Sequence, residues 1–437
     1  MSSYKNTLQY LYELERFGIR MGLECIDVIL KSLGNPHLKY PVIHIGGTNG
    51  KGSTSVMLAS VLQEAGCKVG LYTSPHLLKF NERIRVNGEE ITDRKIVEMT
   101  ERIRNRSQES EVRSQKNSKL KTQNSKLAST TFFEFTTAMA FLHFAEEHVD
   151  IAVIEVGLGG RLDATNVCKP LVSVITNVSK EHEEILGKGI RNIALEQTGI
   201  IKENGILLTG ASQPSVLKVF NETCRGRNAK IYRFKILRPA TRDPRLFGFH
   251  GKKWRLDKLK TNLLRRHQYK NAGLALFALE MIGKKGFKIT EDAVRTGLEN
   301  VRLQGRLQIV SIEPTIVLDS AHNPAGAKVL RDSLLKEFCY KKLILVVGIM
   351  ADKDIKGFLS NIAPIVDLVI LTKPNTPRAA KEDVLTSAAK PFAKRIKLIK
   401  NVKNAYRFAK SIAKKQDLIC VTGSFYTVGE VLSNLKV

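Results

Sequence analysis

The sequence has few cysteines and no closely spaced pair of them. Its six cysteines are scattered over 437 residues without a Cys-x-x-Cys motif. A disulfide framework or a structural zinc site would need cysteines at short, regular spacings, so neither is expected. We predict buried, reduced thiols.

Long apolar runs are also absent. No stretch approaches the ~18 apolar residues that a membrane helix needs, and the starting segment MSSYKNTLQYLYELERF has no apolar signal-peptide core. These absences predict a cytoplasmic protein without a membrane partner. A single hydrophobic core stops growing at roughly 250 to 300 residues, so the length predicts two domains.

Acidic residues are the third scarcity. Only 42 Asp and Glu oppose 70 Lys and Arg, which gives a formal net charge of +28. Such a charge attracts nucleic acid, nucleotides or a substrate with several carboxylates. The basic residues are spread along the whole chain, however, so a generally basic proteome would explain them equally well. The stretch from 105 to 130 contains no aromatic residue that could stack on a base, so we predict a flexible surface insertion there rather than an RNA-binding tail.

Strand-like runs alternate with helix-like segments through most of the sequence. This pattern is typical of an α/β fold with parallel sheets, in which ligands bind at the carboxyl ends of the strands. After a helix-rich stretch the pattern returns to strands, so we predict domains at 1–298 and 299–437, with four short strands in the second. The strand-like runs are VIHIGG, IAVIEVGLGG, LVSVITNV, TIVLDSAHN, KLILVVGIM, DLVILTKP and LICVTGSF.

The stretch VIHIGGTNGKGST, residues 42–54, places a β-branched run before a glycine-rich turn. It is not a generic P-loop, because its glycine spacing differs and Lys51 is followed by Gly52 instead of a hydroxyl residue. It still favours a phosphate, because glycines let backbone N–H groups converge on an anion, the next helix offers its positive end and Lys51 adds charge. A purely structural turn would leave Lys51 without a role. The candidate phosphate-binding residues are Gly47, Thr48, Asn49, Gly50, Lys51, Gly52 and Ser53.

The segment GTNGKGS, residues 47–53, resembles the phosphate loop of the folylpolyglutamate synthase/dihydrofolate synthase family, within the wider Mur ligase group. The resemblance covers nearly the whole chain and leaves out only the insertion and the region near 222–260. The other matching motifs are FGIRMGLECIDVILKSLGNP, YTSPHL, ERIRVNG, FFEFTTAMAF, EVGLGGRLDATNV, ITNVSKEHEEILG, GIIK, HQYKNA, GRL, LDSAHNPAGA and VTGSFYTVGEV.

This resemblance implies an ATP-dependent amide ligase that adds L-glutamate to dihydropteroate or to a folate through an acyl phosphate. It implies an N-terminal, P-loop-type ATPase domain with a mostly parallel sheet that binds ATP and the pterin, and a smaller C-terminal Rossmann-like domain that binds the amino acid. The implied cofactors are ATP and one or two Mg²⁺ ions, and we expect a monomer without a specific nucleic-acid partner.

Two other functions compete with this interpretation. One is a Mur-type ligase that joins an amino acid to a peptidoglycan precursor, against which stand the folate-branch motifs TSPHL and LGGRLDATN. The other is a basic nucleotide-binding protein that associates with nucleic acid. Against it stands the lack of a nucleic-acid motif or of interleaved basic and aromatic residues.

The resemblance assigns metal ligands to three residues: Ser74 and Glu155 for a first Mg²⁺ and His182 for a second. Alone, Ser74 would equally fit a turn and His182 a salt-bridged surface. The family usually carries a carbamylated lysine where this chain has Gln197. Glutamine cannot be carbamylated, and its carbonyl could bind a metal or a water only without the charge. This departure leaves the second metal site open.

The catalytic residues implied by the resemblance are Lys51 and, in the second domain, Arg306, Asp319 and His322. The family arginine of GRL contacts ATP when the domains close, and Asp319 and His322 are expected at phosphate or at magnesium-bound water. An Asx turn followed by a helix cap before Pro324 is also physically sound for Asp319 and its neighbours, and it is compatible with that role. Asn271, in HQYKNA, matches a position near the nucleotide.

The substrate residues rest on the same resemblance. Arg83, Asp163 and Ala164 match regions that frame the pteroyl group. Ser424 and Tyr426 lie where related ligases hold the incoming amino acid.

Overall fold

The computed structural model describes residues 3–18, 20–114, 130–234, 246–263 and 266–435. The chain divides into two compact units. The first comprises Met1–Ser74, Phe80–Asn262 and Gln268–Val301, and the second comprises Pro75–Lys79, Leu263–His267 and Arg302–Val437.

The first unit is built around an eight-stranded sheet. Its strands are β1 (Val42–Gly46), β2 (Val69–Tyr72), β3 (Ile84–Val86), β4 (Glu89–Glu90), β5 (Ile151–Glu155), β6 (Pro170–Ile175), β7 (Ile206–Thr209) and β8 (Lys230–Arg233). They lie in the order β4-β3-β2-β5-β1-β6-β7-β8, with only β2–β3 and β3–β4 paired antiparallel. A separate antiparallel pair consists of β9 (Leu246–His250) and β10 (Arg255–Lys260).

Helices cover both faces of this sheet, and every residue of the central strands β1 and β5 is buried. Such burial explains their almost continuous runs of branched apolar residues. The helices are α1 (Tyr4–Glu13), α2 (Glu24–Ser32), α3 (Lys51–Glu64), α4 (Asp93–Ser114), α5 (Phe132–Glu146), α6 (Glu183–Leu186), α7 (Ile190–Thr198), α8 (Pro214–Gly226), α9 (Arg266–Gly283) and α10 (Glu291–Asn300).

The second unit holds a six-stranded sheet, in which only the edge pair β11–β12 is antiparallel. Its strands are β11 (Gln308–Ile312), β12 (Thr315–Leu318), β13 (Leu343–Val347), β14 (Leu368–Lys373), β15 (Ile396–Asn401) and β16 (Leu418–Thr422), in the order β11-β12-β16-β13-β14-β15. The helices are α11 (Pro324–Glu337), α12 (Ile355–Ile362), α13 (Glu382–Ala389), α14 (Val402–Ile412) and α15 (Phe425–Leu435).

The predicted α/β class, with a mostly parallel first sheet and a separate second sheet, is confirmed. Two finer predictions are wrong. The second sheet has six strands rather than four. The sequence pattern missed the edge strands β11 and β15 because they are largely solvent-accessible and carry no continuous apolar run. The stretch predicted as an insertion from 105 begins inside a helix, since α4 continues to Ser114, and its residues 115–129 lie outside the described part of the chain. In the described residues no helix combines the length and apolar character that a membrane span requires.

Candidate functional site

Residues 47–50 form a tight turn between β1 and α3. Gly47 has a φ of +124° and Gly50 one of +84°, a region that glycine adopts without strain. A Cβ on Gly47 would overlap Thr176 Oγ1, and a Cβ on Gly50 would lie 2.5 Å from Asn271 Oδ1. Both glycines are therefore required by backbone conformation and by space. Asn271 lies directly against the turn, and its predicted contact with the nucleotide stays a prediction.

The start of α3 offers free backbone donors. The first hydrogen bond of the helix runs from Thr54 N to Gly50 O, at 3.0 Å. The N–H groups of Lys51, Gly52 and Ser53 precede it, and they find no acceptor among the described residues. Together with the positive end of the helix dipole, these three groups are suited to bind an anion, and we call them the anion site.

Lys51 adds a full positive charge to this end of α3. Its Nζ donates to Gly47 O at 2.8 Å and to Thr48 O at 3.2 Å, so the side chain folds back over the turn. The ammonium group lies beside the backbone that the glycine turn presents, and it is in place to interact with an anion there.

The segment that follows β6 braces the turn. Thr48 N donates to Asn177 O at 2.9 Å, and Asn49 N donates to Asn177 Oδ1 at 3.1 Å. The carbonyl of Asn49 accepts from Asn177 Nδ2 at 2.6 Å and from Thr176 Oγ1 at 2.7 Å. The backbone N–H groups of Thr48 and Asn49 are thus engaged within the protein, and the predicted contact of these two residues with ATP stays a prediction. Sequence reasoning missed Asn177, although ITNV places it just after a strand.

Glu155 and Ser74 meet next to the start of α3. Glu155 ends β5, which neighbours β1, and its side chain is buried. Ser74 N donates to Glu155 Oε2 at 3.2 Å, and a Cβ on Gly52 would lie 3.6 Å from the same oxygen. A buried carboxylate and a serine close to the anion site suit a hard cation such as Mg²⁺, which prefers oxygen ligands.

His182 lies at the N-terminal end of α6, three residues after Ser179, which is hydrogen-bonded to Thr48 of the turn. Its backbone is left-handed, with φ +54°, and its Nε2 lies 3.7 Å from Glu181 Oε1. The described residues contain no group of three or more His, Cys, Asp and Glu side chains that could hold a metal without other ligands. A metal at Glu155 would therefore need further oxygens from Ser74, water or a bound phosphate, and the assignment of His182 stays a prediction.

The loop between β5 and β6 is organised by Asp163. Its carboxylate accepts from Leu158 N at 2.8 Å, from Thr165 N at 3.0 Å and from Thr165 Oγ1. Burial raises the pKa of Asp163, and these hydrogen bonds act in the opposite direction. On β1, His44 Nε2 lies 2.8 Å from Thr165 Oγ1, and burial lowers the pKa of His44 to about 3, so its ring is neutral. The predicted substrate residue Ala164 is buried in the middle of this network.

Arg83 lies in the same region. Its guanidinium is 5.1 Å from the ring centroid of Phe132, and its side chain is largely buried. Burial raises the pKa of the Tyr72 hydroxyl, an effect that the charge of Arg83 opposes and that of Asp163 reinforces. The charges of Arg83 and Asp163 therefore both act on the Tyr72 hydroxyl, and the predicted binding of the pteroyl group by these residues stays a prediction.

In the second unit, Arg306 sits in a clamped turn. The residues on either side of it have left-handed φ angles, +65° for Gly305 and +50° for Leu307. Asp319 Oδ2 accepts from Leu307 N at 3.0 Å, and Ser320 Oγ donates to Gly305 O at 3.0 Å. Asp319 and Ser320 thus fix the backbone on both sides of Arg306, a role for Ser320 that sequence reasoning missed.

Phe425 brings Arg306 and His322 together. The guanidinium of Arg306 is 5.0 Å from the centroid of the Phe425 ring, and the His322 ring is 6.0 Å from it. His322 Nδ1 lies 3.0 Å from Ser320 O, and because a carbonyl oxygen only accepts, Nδ1 is the donor in this contact. Sequence reasoning did not identify Phe425.

The two residues predicted to bind the amino acid differ in their surroundings. Ser424 is buried, and its Oγ accepts from Thr427 N at 3.0 Å, so the hydroxyl caps the start of α15. The side chain of Tyr426 is 42% exposed and accessible to a ligand.

Two family models match this chain. One, described as the Mur ligase middle domain, covers residues 45–279, and the other, described as the Mur ligase glutamate ligase domain, covers residues 305–425. With the two-sheet fold, these matches define the class of the protein as a member of the Mur ligase superfamily.

Relatives narrow the class to one family. The dihydrofolate synthase/folylpolyglutamate synthase of Bacillus subtilis is 32% identical over 446 residues, which cover 100% of both chains. The structure of Mycobacterium tuberculosis folylpolyglutamate synthase with ADP and AMPPCP has a TM-score of 0.89 and 32% identity, covering 100% of this chain and 99% of that one. A bifunctional folylpolyglutamate synthase/dihydrofolate synthase with Mn, AMPPNP and L-glutamate has a TM-score of 0.81 and 29% identity over 100% and 99%. The chain belongs to the dihydrofolate synthase/folylpolyglutamate synthase family.

Proposed function

We propose that the protein is an ATP-dependent ligase that adds L-glutamate to dihydropteroate, to the γ-carboxylate of reduced folates, or to both, with ADP and phosphate as the other products. Family membership supports this function over a peptidoglycan ligase or a nucleic-acid-associated protein. The single observation that carries it is the anion site at the start of α3. There, three backbone N–H groups without an acceptor among the described residues lie with Lys51 next to a buried carboxylate, Glu155.

The chemistry proceeds in two transfers. A carboxylate oxygen of the pteroate or folate attacks the γ-phosphorus of ATP, the bond between that phosphorus and the bridging oxygen breaks, and ADP leaves. The amine of glutamate then attacks the acyl carbon, phosphate leaves, and the nitrogen releases a proton. The protein has to hold the triphosphate in line with the carboxylate and to stabilise the charge that develops on the phosphate oxygens.

The residues of the first unit suit the nucleotide and the acceptor. The N–H groups at the start of α3 and Lys51 would bind the phosphates of ATP, with Asn271 beside the turn. The loop organised by Asp163, together with Arg83, would frame the pteroyl group. These assignments combine the observed contacts with the family resemblance.

A divalent metal accompanies ATP in this family, as in the relative crystallised with Mn and AMPPNP. We propose Mg²⁺ as the ion, held by Glu155 and Ser74, whose oxygens fit a hard cation. When bound, it would neutralise charge between the β- and γ-phosphates. A second ion near His182 is a further part of this proposal.

The residues of the second unit are assigned by the same reasoning. Arg306 would bind phosphate, with Asp319 holding its turn, and Asp319 and His322 would meet phosphate or magnesium-bound water. The exposed ring of Tyr426 would contact the incoming glutamate, while Ser424 would position the start of α15. We also expect the protein to act as a monomer in the cytoplasm.

A label-transfer assay tests the function. Purified protein is incubated with Mg²⁺, ATP and labelled glutamate, and with either dihydropteroate or tetrahydrofolate in parallel. We expect label to enter at least one acceptor with equal release of ADP, and no transfer when the acceptor is omitted. Label in neither product would contradict the proposal, and label in only one would identify a single activity.

A further inference from the structure

We propose that Gln197 is a positioning residue for the nucleotide turn and that it acts through the hydroxyl of Thr48. This inference rests on the proposed function, because it assumes that the turn binds ATP. Gln197 lies in the last turn of α7, and its Nε2 donates to Thr48 Oγ1 at 3.3 Å.

The hydroxyl of Thr48 is hydrogen-bonded to its full capacity. Thr48 Oγ1 accepts from Ser179 N at 2.9 Å and from Gln197 Nε2. It also donates its own proton to Ser179 O, with 3.3 Å between the two oxygens. A hydroxyl has one proton and two acceptor sites, so these three contacts leave none open. Thr48 is thus tied both to the segment after β6 and to α7, and Gln197 supplies the connection to α7.

The C-terminal end of α7 is itself fixed, so it can serve as an anchor. Arg227 Nη1 donates to Thr198 O at 3.1 Å and also to Ile201 O. Arg161 pairs with Glu196 at 2.8 Å. Gln197 therefore projects from a helix end that is fixed by Arg227 through its carbonyls and by Arg161 through Glu196. Its hydrogen bond to Thr48 connects the turn to this fixed helix end.

The polar character of Gln197 is not explained by packing. The residue is 3% exposed, and its Oε1 is buried without a hydrogen-bond partner among the described residues. An apolar side chain of similar size would avoid the cost of this unpaired carbonyl. Within the described part of the chain, the hydrogen bond that the side-chain amide makes is the one to Thr48, which locates its role at the nucleotide turn.

The connection also reaches the loop between β5 and β6. Arg161 and Asn166 both belong to that loop. Asn166 Nδ2 donates at 3.2 Å to the carbonyl oxygen of Gly199, which is the residue just after α7. The end of α7 is therefore bonded to the candidate pteroyl loop on one side and, through Gln197, to the nucleotide turn on the other.

A double-mutant cycle tests the inference. Gln197→Leu, Thr48→Val and the double variant are compared with the wild type by titration calorimetry with a non-hydrolysable ATP analogue. Gln197→Leu removes one neutral hydrogen bond and should weaken affinity about threefold to tenfold. Thr48→Val also removes the two contacts of the hydroxyl with Ser179, so it should weaken affinity at least as much. The double variant should be no weaker than Thr48→Val, because the hydrogen bond to Gln197 is already lost in that single variant. The KM for ATP should rise likewise, while the KM for glutamate stays unchanged.

Matched variants separate positioning from general damage. Gln213 also bonds the segment after β6, with Nε2 donating to Val178 O at 2.8 Å, and in the described part of the chain it makes no hydrogen bond to the turn. Gln213→Leu should therefore leave nucleotide affinity unchanged. Thr48→Ser keeps the hydroxyl and should recover most of the affinity lost in Thr48→Val, a comparison that holds even if Gln197→Leu fails to fold.

Three results would overturn the inference: wild-type affinity in Gln197→Leu, additive losses in the double variant, or equal affinity of Thr48→Ser and Thr48→Val when Gln197→Leu does not fold. Failure of the wild type to bind the analogue would instead refute the proposed function. The two failures are therefore distinguishable.

Discussion

Gly50→Ala is the substitution that most directly tests the nucleotide turn. Gly50 has a φ of +84°, and a methyl group on it would lie 2.5 Å from Asn271 Oδ1 and 3.1 Å from Asn271 Cγ. Asn271 is itself bonded through Nδ2 to Gln268 Oε1 at 2.9 Å, so its amide cannot move without losing that contact. The variant has to either keep a strained conformation or let the unliganded turn relax.

The expected loss follows from the strain. A left-handed conformation costs a residue with a Cβ about 1–2 kcal/mol relative to glycine. If the unliganded turn relaxes, bound ATP has to restore the original conformation, and that free energy is subtracted from binding. Because 1.4 kcal/mol corresponds to about tenfold in affinity, we expect binding to weaken by about 5-fold to 30-fold.

Titration calorimetry with a non-hydrolysable ATP analogue measures this loss, and Gly66→Ala is its control. Gly66 follows the other end of α3 with nearly the same φ, +83°, and a Cβ added to it would have no atom within 4 Å among the described residues. Gly66→Ala therefore introduces similar backbone strain just after the far end of α3, away from the turn, and its nucleotide affinity should match the wild type. If Gly50→Ala binds within about twofold of the wild type, the conformation of Gly50 does not control nucleotide binding.

Two further predictions concern charge. Lys51→Ala should lower the turnover number for glutamate addition by about 10²-fold or more, because a charge that stabilises the transferring phosphate is lost; near wild-type turnover would refute this role of Lys51. His44→Gln should reduce acid sensitivity. Since burial lowers the pKa of His44 from 6.5 to about 3, the unfolded chain takes up the proton first, and stability falls as pH drops below 6.5. Between neutral pH and about two units lower, this effect of His44 lowers the free energy of unfolding by about 2 kcal/mol. Urea unfolding of the variant should therefore show a shallower pH dependence of stability, and an unchanged pH dependence would contradict the prediction.

The sequence predicts the α/β class because each buried strand is recognisable from its own short apolar run. In β1 and β5 both faces are covered, so nearly every position is apolar and the run is easy to recognise. The edge strands β11 and β15 have exposed positions between the apolar ones, and nothing in their composition separates them from loops. The length of α4 beyond residue 105 was missed for a similar reason, because a polar helix has no apolar stripe to detect.

Site residues divide in the same way. Glycines and Lys51 are recognisable because a turn with left-handed φ angles and a helix start demand them. The residues that brace the site are not recognisable, because Asn177, Ser320 and Phe425 act through partners far away in sequence. Asn177 contacts Asn49 across 128 positions, and no local pattern encodes such a pairing.

The motif GTNGKGS therefore contains two functional parts that the sequence cannot separate. The backbone N–H groups of Thr48 and Asn49 are engaged with Asn177, so this half of the motif fixes the shape of the turn. The N–H groups of residues 51–53 make no such bonds among the described residues, so in the proposed function the second half supplies the donors for the phosphate. Substitutions in the first half should act through the geometry of the turn, and a double-mutant cycle with their partners should reveal coupling. Substitution of Lys51 removes a charge instead, and its effect should persist whatever happens to Asn177.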